Sequence, residues 1–302
     1  MEFLYFLEKT RLPVLNELML LITRLGEETA FLVIGLVLFW CVSKRRGYYV
    51  MAVGFFGTIT TQAMKILCRI PRPWVKDPDF TILEQAREAA DGYSFPSGHT
   101  QTAFGTLGGI ALTEKRKWLS IACVILAVLV GISRMYIGVH TPADVLVGGG
   151  VSVAFLFLLH PLMMGKRDFT YPVLVVLAVV SAGYLAFMEL HSFPADIDAH
   201  NYESAMKNAY TLIGCALALL LVYPLEKKYV NFPEKAVWWA QLLKTVLGLG
   251  LVLGVKEGLR APLEAIFNGH LAARGVRYFL IVVVAGLLWP MTFKFFAKLG
   301  NK

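Results

Sequence analysis

Charge is what this chain has least of. Asp, Glu, Lys and Arg make up 17% of its 302 residues, where soluble domains carry roughly a quarter. With 57% hydrophobic residues and a mean hydropathy of +0.62, that shortage excludes a soluble enzyme and a disordered chain. Cysteine is sparse too. The four, Cys41, Cys68, Cys123 and Cys215, fall in or beside apolar runs without metal-type spacing. That excludes a secreted disulfide scaffold, and they read as small packing residues. Strict polar–apolar alternation over about ten residues is missing, which excludes a membrane β-barrel. No cleavable signal peptide is expected, because residues 3–24 lack a basic start and contain Glu8, Lys9, Arg11 and Glu17.

What the chain does have is a series of apolar runs of roughly twenty residues, each long enough to cross a hydrocarbon core of about 30 Å. They predict an all-α fold, a polytopic membrane helical bundle. Spans are expected at about 27–43, 47–68, 98–113, 118–138 and 142–164, then at about 171–190, 208–224, 237–256 and 277–297. That makes about nine transmembrane helices, plus an N-terminal interfacial or re-entrant helix over 3–24, where charges and Pro13 interrupt the apolar pattern. The formal charge of +8 is carried largely by clusters at span ends, such as Lys44–Arg46 and Lys115–Lys117. Such clusters read as short cytoplasmic loops rather than as a nucleic-acid surface. Alternating the spans from those clusters puts the polar stretch 69–97 and the neighbourhood of His140 on the opposite, extracytoplasmic side.

Three polar segments meet at that side. The first is Lys65-Ile-Leu-Cys-Arg69-Ile-Pro71-Arg72-Pro73, where a helix runs out into the long loop. Taken alone, its cations read as snorkelling or headgroup contacts. The second is Phe95-Pro96-Ser97-Gly98-His99-Thr100, just before the third span. A helix start preceded by Pro, Ser and Gly offers unpaired backbone N–H groups and a positive dipole end, an anion-binding geometry, although an ordinary N-cap would look the same. The third runs from Ser133-Arg134 to His140-Thr-Pro-Ala-Asp144. The i, i+4 spacing puts the imidazole and carboxylate on one face, so that an Asp can fix the tautomer of a nucleophilic His. A structural pair at a helix end would share that spacing. Together the segments supply cations, a helix N-terminus, two histidines and an orienting carboxylate. That inventory suits phosphoryl transfer without a metal. His-x-x-x-His spacing is absent, and the clustered Lys and Arg would repel a cation.

The segments read as Lys-x6-Arg-Pro, Pro-Ser-Gly-His and Ser-Arg-x5-His-x3-Asp. In this order they resemble the signature of the type 2 phosphatidic acid phosphatase family, the lipid phosphate phosphatases, which share their site with vanadium haloperoxidases. The resemblance covers about residues 1–165. It implies that His140 is the nucleophile of a phosphohistidine intermediate, that Asp144 orients it, and that His99 protonates the leaving group and then activates water. It further implies that Lys65, Arg72, Ser97, Gly98 and Arg134 hold the phosphate, with no cofactor and no metal. Arg69 lies outside the signature and is left as a possible headgroup cation.

The expected protein is therefore an integral membrane hydrolase, in the plasma membrane, with its site facing outward. A lipid phosphate substrate keeps its tail in the bilayer. Candidates are undecaprenyl diphosphate, phosphatidic acid, phosphatidylglycerophosphate and a sphingoid-base phosphate. The alternatives are a lipid-linked phosphotransferase and, further off, a transporter that uses the phosphate site for recognition. Loop 74–95, with Asp77, Asp79, Glu84, Glu88 and Asp91, is expected to bear on selectivity. Residues 166–302 form a membrane extension of about four helices without a recognisable signature. In it, loop 191–207 carries His191, Asp196, Asp198, His200 and Glu203, read as a solvated polar loop rather than a metal site. Lys244 is expected to snorkel. Gly248, Gly250 and Gly254 permit close helix packing or a homodimer, and Trp238, Trp239 and Trp289 suit interfacial anchoring.

Overall fold

The computed structural model describes residues 1–87, 90 and 92–299, and these contain helix and no strand. Three helices open the chain: α1 (Glu2–Lys9), α2 (Pro13–Thr23) and α3 (Glu28–Val37). The long α4 (Lys44–Cys68) is followed by the single turn α5 (Pro73–Lys76). Then come α6 (Gly98–Thr113), α7 (Lys117–Tyr136) and α8 (Pro142–Met164). The second half contains α9 (Thr170–Leu190), α10 (Ala199–Leu225), α11 (Trp238–Gly258), α12 (Arg260–Ile266), α13 (Ala272–Val283) and α14 (Phe293–Lys298).

Seven helical stretches among the described residues are long and apolar enough to cross a membrane. An eighth is counted if Pro13–Gly26 and Glu28–Val42, bent by 56°, form one broken span. The expected span at 98–113 is missing from this set for a plain reason. α6 has 16 residues, about 24 Å at 1.5 Å per residue, short of a core of about 30 Å. The N-terminal stretch also departs from a single interfacial helix. The chain breaks between α1 and α2, and Pro13 starts α2, where a helix needs no N–H.

The chain forms two compact units. The first comprises Met1–Ile34, Val53–Pro161 and Phe193–Ala205. In it α6 and α7 make an antiparallel hairpin around Leu107, Cys123 and Ala127, closed at its turn by Ser120 Oγ donating to the Ala111 carbonyl at 3.0 Å. α2 lies along α7, where Tyr136 Oη donates to Asn16 Oδ1 at 2.8 Å. The loop after α5 is stitched to the end of α7 by Leu83 N donating to the Ile137 carbonyl. Two glycines let backbones approach: a Cβ on Gly148 of α8 would stand 2.4 Å from the Ser97 carbonyl oxygen, and one on Gly26 2.6 Å from that of His99.

The second unit comprises Gly35–Ala52, Leu162–Ser192 and Met206–Lys302. Lys244 does not snorkel within it. It is 1% exposed, and its Nζ donates to the carbonyls of Trp40 at 2.9 Å and Glu234 at 3.2 Å. The ammonium also sits 4.4 Å from the centre of the Phe293 ring, so carbonyl dipoles and a ring face replace water. Gly248 packs against Trp40 and Trp289, whereas Gly250 and Gly254 face open space. Trp289 joins an aromatic cluster with Phe293 and Phe296, while Trp238 and Trp239 are exposed.

The close approach at Gly148 gives a test. Gly148→Ala forces a Cβ against rigid backbone at the start of α6, an overpacking of about 1–3 kcal/mol. It should lower the melting temperature in detergent and reduce turnover, whereas alanine at Gly150, which meets nothing within 4 Å, should change neither.

Candidate active site

Each polar segment is placed by a simple local device. α4 ends at Cys68 because Pro71 and Pro73 follow, which leaves Lys65 in the last turn and Arg72 as the residue capping α5. Ser97 caps α6. Its Oγ accepts from Thr100 N at 3.4 Å and from Thr100 Oγ1 at 2.9 Å, so its own proton remains available to an oxygen in front of the helix. Thr141-Pro-Ala-Asp144 is a capping box with proline in the first turn. Thr141 N donates to Asp144 Oδ2 at 2.7 Å, and Asp144 N to Thr141 Oγ1 at 3.3 Å.

These devices bring the predicted residues together in the first unit. Lys65 Nζ donates to the Tyr93 carbonyl. Arg72 Nε donates to the Gly92 carbonyl and Nη1 to the Val139 carbonyl, both at 3.0 Å. Nη1 also lies 2.9 Å from His140 Nε2. A guanidinium is always a donor, so Nε2 is the acceptor and the proton resides on Nδ1. Nδ1 faces Asp144 Oδ2 at 3.4 Å. Arg134 is 1% exposed. Its Nη1 donates to Thr23 Oγ1 at 2.9 Å, while Nε and Nη2 are buried without a partner, as is His99 Nε2. His99 stands within electrostatic reach of Arg134, His140, Arg72 and Lys65. Gly98, the first residue of α6, has nothing within 4 Å of where a Cβ would point. Unbonded donors from a guanidinium, together with a helix start whose first residue has no side chain, suit one tetrahedral oxyanion.

The electrostatics favour a neutral His140 ring. Burial pushes the His140 pKa well below its ordinary value, and the positive charges of Arg72, Arg134 and Lys65 push the same way; the Ser94 carbonyl opposes them. The ring therefore keeps its lone pair at pH values where a free imidazole is protonated.

Sequence reading missed two residues. Ser94 is fully buried, and its Oγ donates to Asp144 Oδ2 at 2.6 Å. Thr23 holds Arg134 from α2. Neither belongs to a motif, and no periodicity marks either. Arg69, left open by its position outside the signature, pairs with Asp196 at 3.2 Å. In loop 74–95 Asp77 accepts from Tyr5 Oη at 3.0 Å and Glu84 pairs with Arg87, while Glu88 and Asp91 lie outside the described residues. Among the described residues, no group of three His, Cys, Asp or Glu side chains converges as a metal site, including those of loop 191–207.

Residues 45–168 match the PAP2 superfamily, and residues 210–302 match the transmembrane extension of PAP2 superfamily phosphatases. The chain is 34% identical over 163 residues to phosphatidylglycerophosphatase B of Bacillus subtilis, a match that covers 49% of the chain and 75% of that relative. It belongs to the PAP2 superfamily. Among other PAP2-related proteins, an undecaprenyl-diphosphatase of Sulfolobus acidocaldarius is 28% identical over 149 residues, 49% of this chain and 70% of the relative. Undecaprenyl-diphosphatase BcrC of Bacillus subtilis is 31% identical over 114 residues, 38% of this chain and 55% of the relative. No solved structure matches the chain. The matched PAP2 segment contains all three motifs, whereas Thr23 falls outside both matched ranges.

Two outcomes follow from this geometry. The acid limb of kcat/KM, corrected for ionisation of the substrate phosphate, should lie below the ordinary imidazole value of about 6.5; a limb at or above it contradicts a depressed His140. Thr23→Val removes the acceptor of Arg134 Nη1 and should raise KM by roughly tenfold, the cost of a buried charged donor left without its partner. Substrate titration of the purified variant checks it.

Proposed function

We propose that this protein is an integral membrane lipid phosphate phosphatase that works through a phosphohistidine on His140. The observation that carries this reading is the contact of Arg72 with His140 Nε2, beside an Arg134 with two unbonded nitrogens. On substrate binding, Arg72 turns from Nε2 to a phosphate oxygen. Lys65, Arg134, the Ser97 hydroxyl and the first N–H groups of α6 at Gly98 take the remaining oxygens. His140 Nε2 forms a bond to phosphorus while the P–O bond to the leaving alcohol or phosphate breaks. His99 gives that oxygen a proton, and Asp144 stabilises the ring as it becomes cationic. Water then attacks the phosphohistidine, losing its proton to His99, and inorganic phosphate departs. The charge is met by side-chain cations and helix N–H groups, so the step needs no metal.

The relatives' names favour two substrate classes, phosphatidylglycerophosphate and undecaprenyl diphosphate; phosphatidic acid and sphingoid-base phosphates share the same reacting group. Residues 1–165 form the catalytic portion and 166–302 the extension. We read nine spans, α6 included. His99 at its start and Arg134 at the end of α7 share one site, so the α6–α7 hairpin must reach the other side at Glu114–Arg116. The short basic clusters at Lys44–Arg46 and Lys115–Lys117 then face the cytoplasm, which puts the site on the outer face of the plasma membrane. The open face of α11 at Gly250 and Gly254 is where two copies would meet in a homodimer.

His140→Ala should abolish phosphate release from detergent-solubilised lipid phosphates, and the wild-type protein should keep its turnover in EDTA. Retained turnover in the variant refutes the nucleophile, and loss of wild-type activity in EDTA refutes the metal-free step. A screen across the candidate lipids ranks the substrate class.

A further inference from the structure

Two buried serines of this chain bond their own helix. Ser133 Oγ donates to the Val130 carbonyl and Ser181 Oγ to the Leu177 carbonyl, the ordinary way to bury a hydroxyl in a helix. Ser94 does something else. It lies in the loop three residues before Ser97, and its Oγ donates to a carboxylate, Asp144 Oδ2, at 2.6 Å. Its N–H donates to the Ile70 carbonyl at 2.9 Å, which ties it to the turn that delivers Arg72. Its carbonyl acts on the His140 ring. One fully buried residue thus touches the segment of the phosphate cation, the orienting carboxylate and the nucleophile.

Two donors hold Asp144 Oδ2, the Ser94 hydroxyl at 2.6 Å and Thr141 N–H at 2.7 Å, and a third group, His140 Nδ1, stands 3.4 Å away without a hydrogen bond. The first two are short and the third is long. As the N–P bond forms, the ring becomes cationic and its attraction to Oδ2 rises. With Oδ2 pinned from two sides, that attraction moves the imidazole rather than the carboxylate, so Nε2 keeps its line of attack.

We propose that Ser94 is a positioning residue for the nucleophile, holding Asp144 Oδ2 so that His140 attacks phosphorus from a fixed geometry. Ser94 keeps its proton throughout; the proton that reaches the leaving oxygen comes from His99. The inference rests on His140 being the nucleophile, as proposed above.

The test uses the full-length protein in detergent. Ser94→Ala removes the hydroxyl, and Ser94→Cys keeps a weaker donor of similar size. For the Ala variant, kcat should fall roughly tenfold with KM within about twofold, the pattern of an interaction made in the transition state. Rapid-quench trapping should show phosphoenzyme formation slowed by the same factor. The Cys variant should fall between Ala and wild type. A carboxylate freed of one donor acts more strongly on His140, so the acid limb of kcat/KM should move to higher pH. Lys65, Arg72, Arg134 and His99, the other ionisable groups around the ring, stay in place. An unchanged kcat, a rise in KM alone, an unmoved acid limb, or a Cys variant no faster than Ala overturns the proposal. Should the Ala variant fail to fold, the Cys variant is read by the same criteria against wild type. If His140→Ala retains turnover, the nucleophile assignment fails instead, whatever the Ser94 variants show.

Discussion

A guanidinium sealed from water with two of its nitrogens unbonded is costly to keep. Arg134 is in that position: 1% exposed, with only Nη1 satisfied, by Thr23. Desolvating a charge and leaving its donors unmet costs several kcal/mol in ordinary protein surroundings. The fold bears this cost at the point where Arg72 and Lys65 are also buried. What such a cluster lacks is negative charge of tetrahedral shape, and a phosphate supplies it.

The backbone does much of the holding. The carbonyls of Gly92, Tyr93 and Val139 accept from Arg72 and Lys65. Carbonyl dipoles orient a cation without cancelling its charge, so it can turn toward a stronger acceptor. The loop 92–94 therefore works as a scaffold although none of its three residues belongs to a motif: Gly92 and Tyr93 hold the cations and Ser94 holds the carboxylate. Arg72 also donates to the lone pair of His140 Nε2, so one guanidinium ties the imidazole to the loop 92–94.

How much of this was legible in the sequence depends on how local the signal is. Ser97 was readable because a cap is written within four residues of a helix start, Asp144 because it stands four residues from His140, and the three motifs lie together on the face to which the alternation of spans assigned them. The membrane character was readable from run length alone. Lys244 was misjudged because its partners, the carbonyls of Trp40 and Glu234 and the ring of Phe293, are distant in sequence or belong to the backbone. Ser94 and Thr23 were invisible for a related reason: their partners lie 50 and 111 residues away, and nothing in their neighbourhood records it.

The stretch Phe193–Ala205 lies between α9 and the body of α10, yet it belongs to the unit that contains the histidines. Asp196 reaches Arg69, and Asp198 N donates to Tyr93 Oη at 3.3 Å. Each contact is at the surface and worth at most about 1 kcal/mol, but one falls on the segment that carries Lys65 and Arg72 and the other on the loop whose carbonyls hold them. The later half of the chain thus contributes to the unit that contains the three motifs. A chimera that grafts a different tail after residue 165 exchanges these contacts as well, even when every motif residue is preserved.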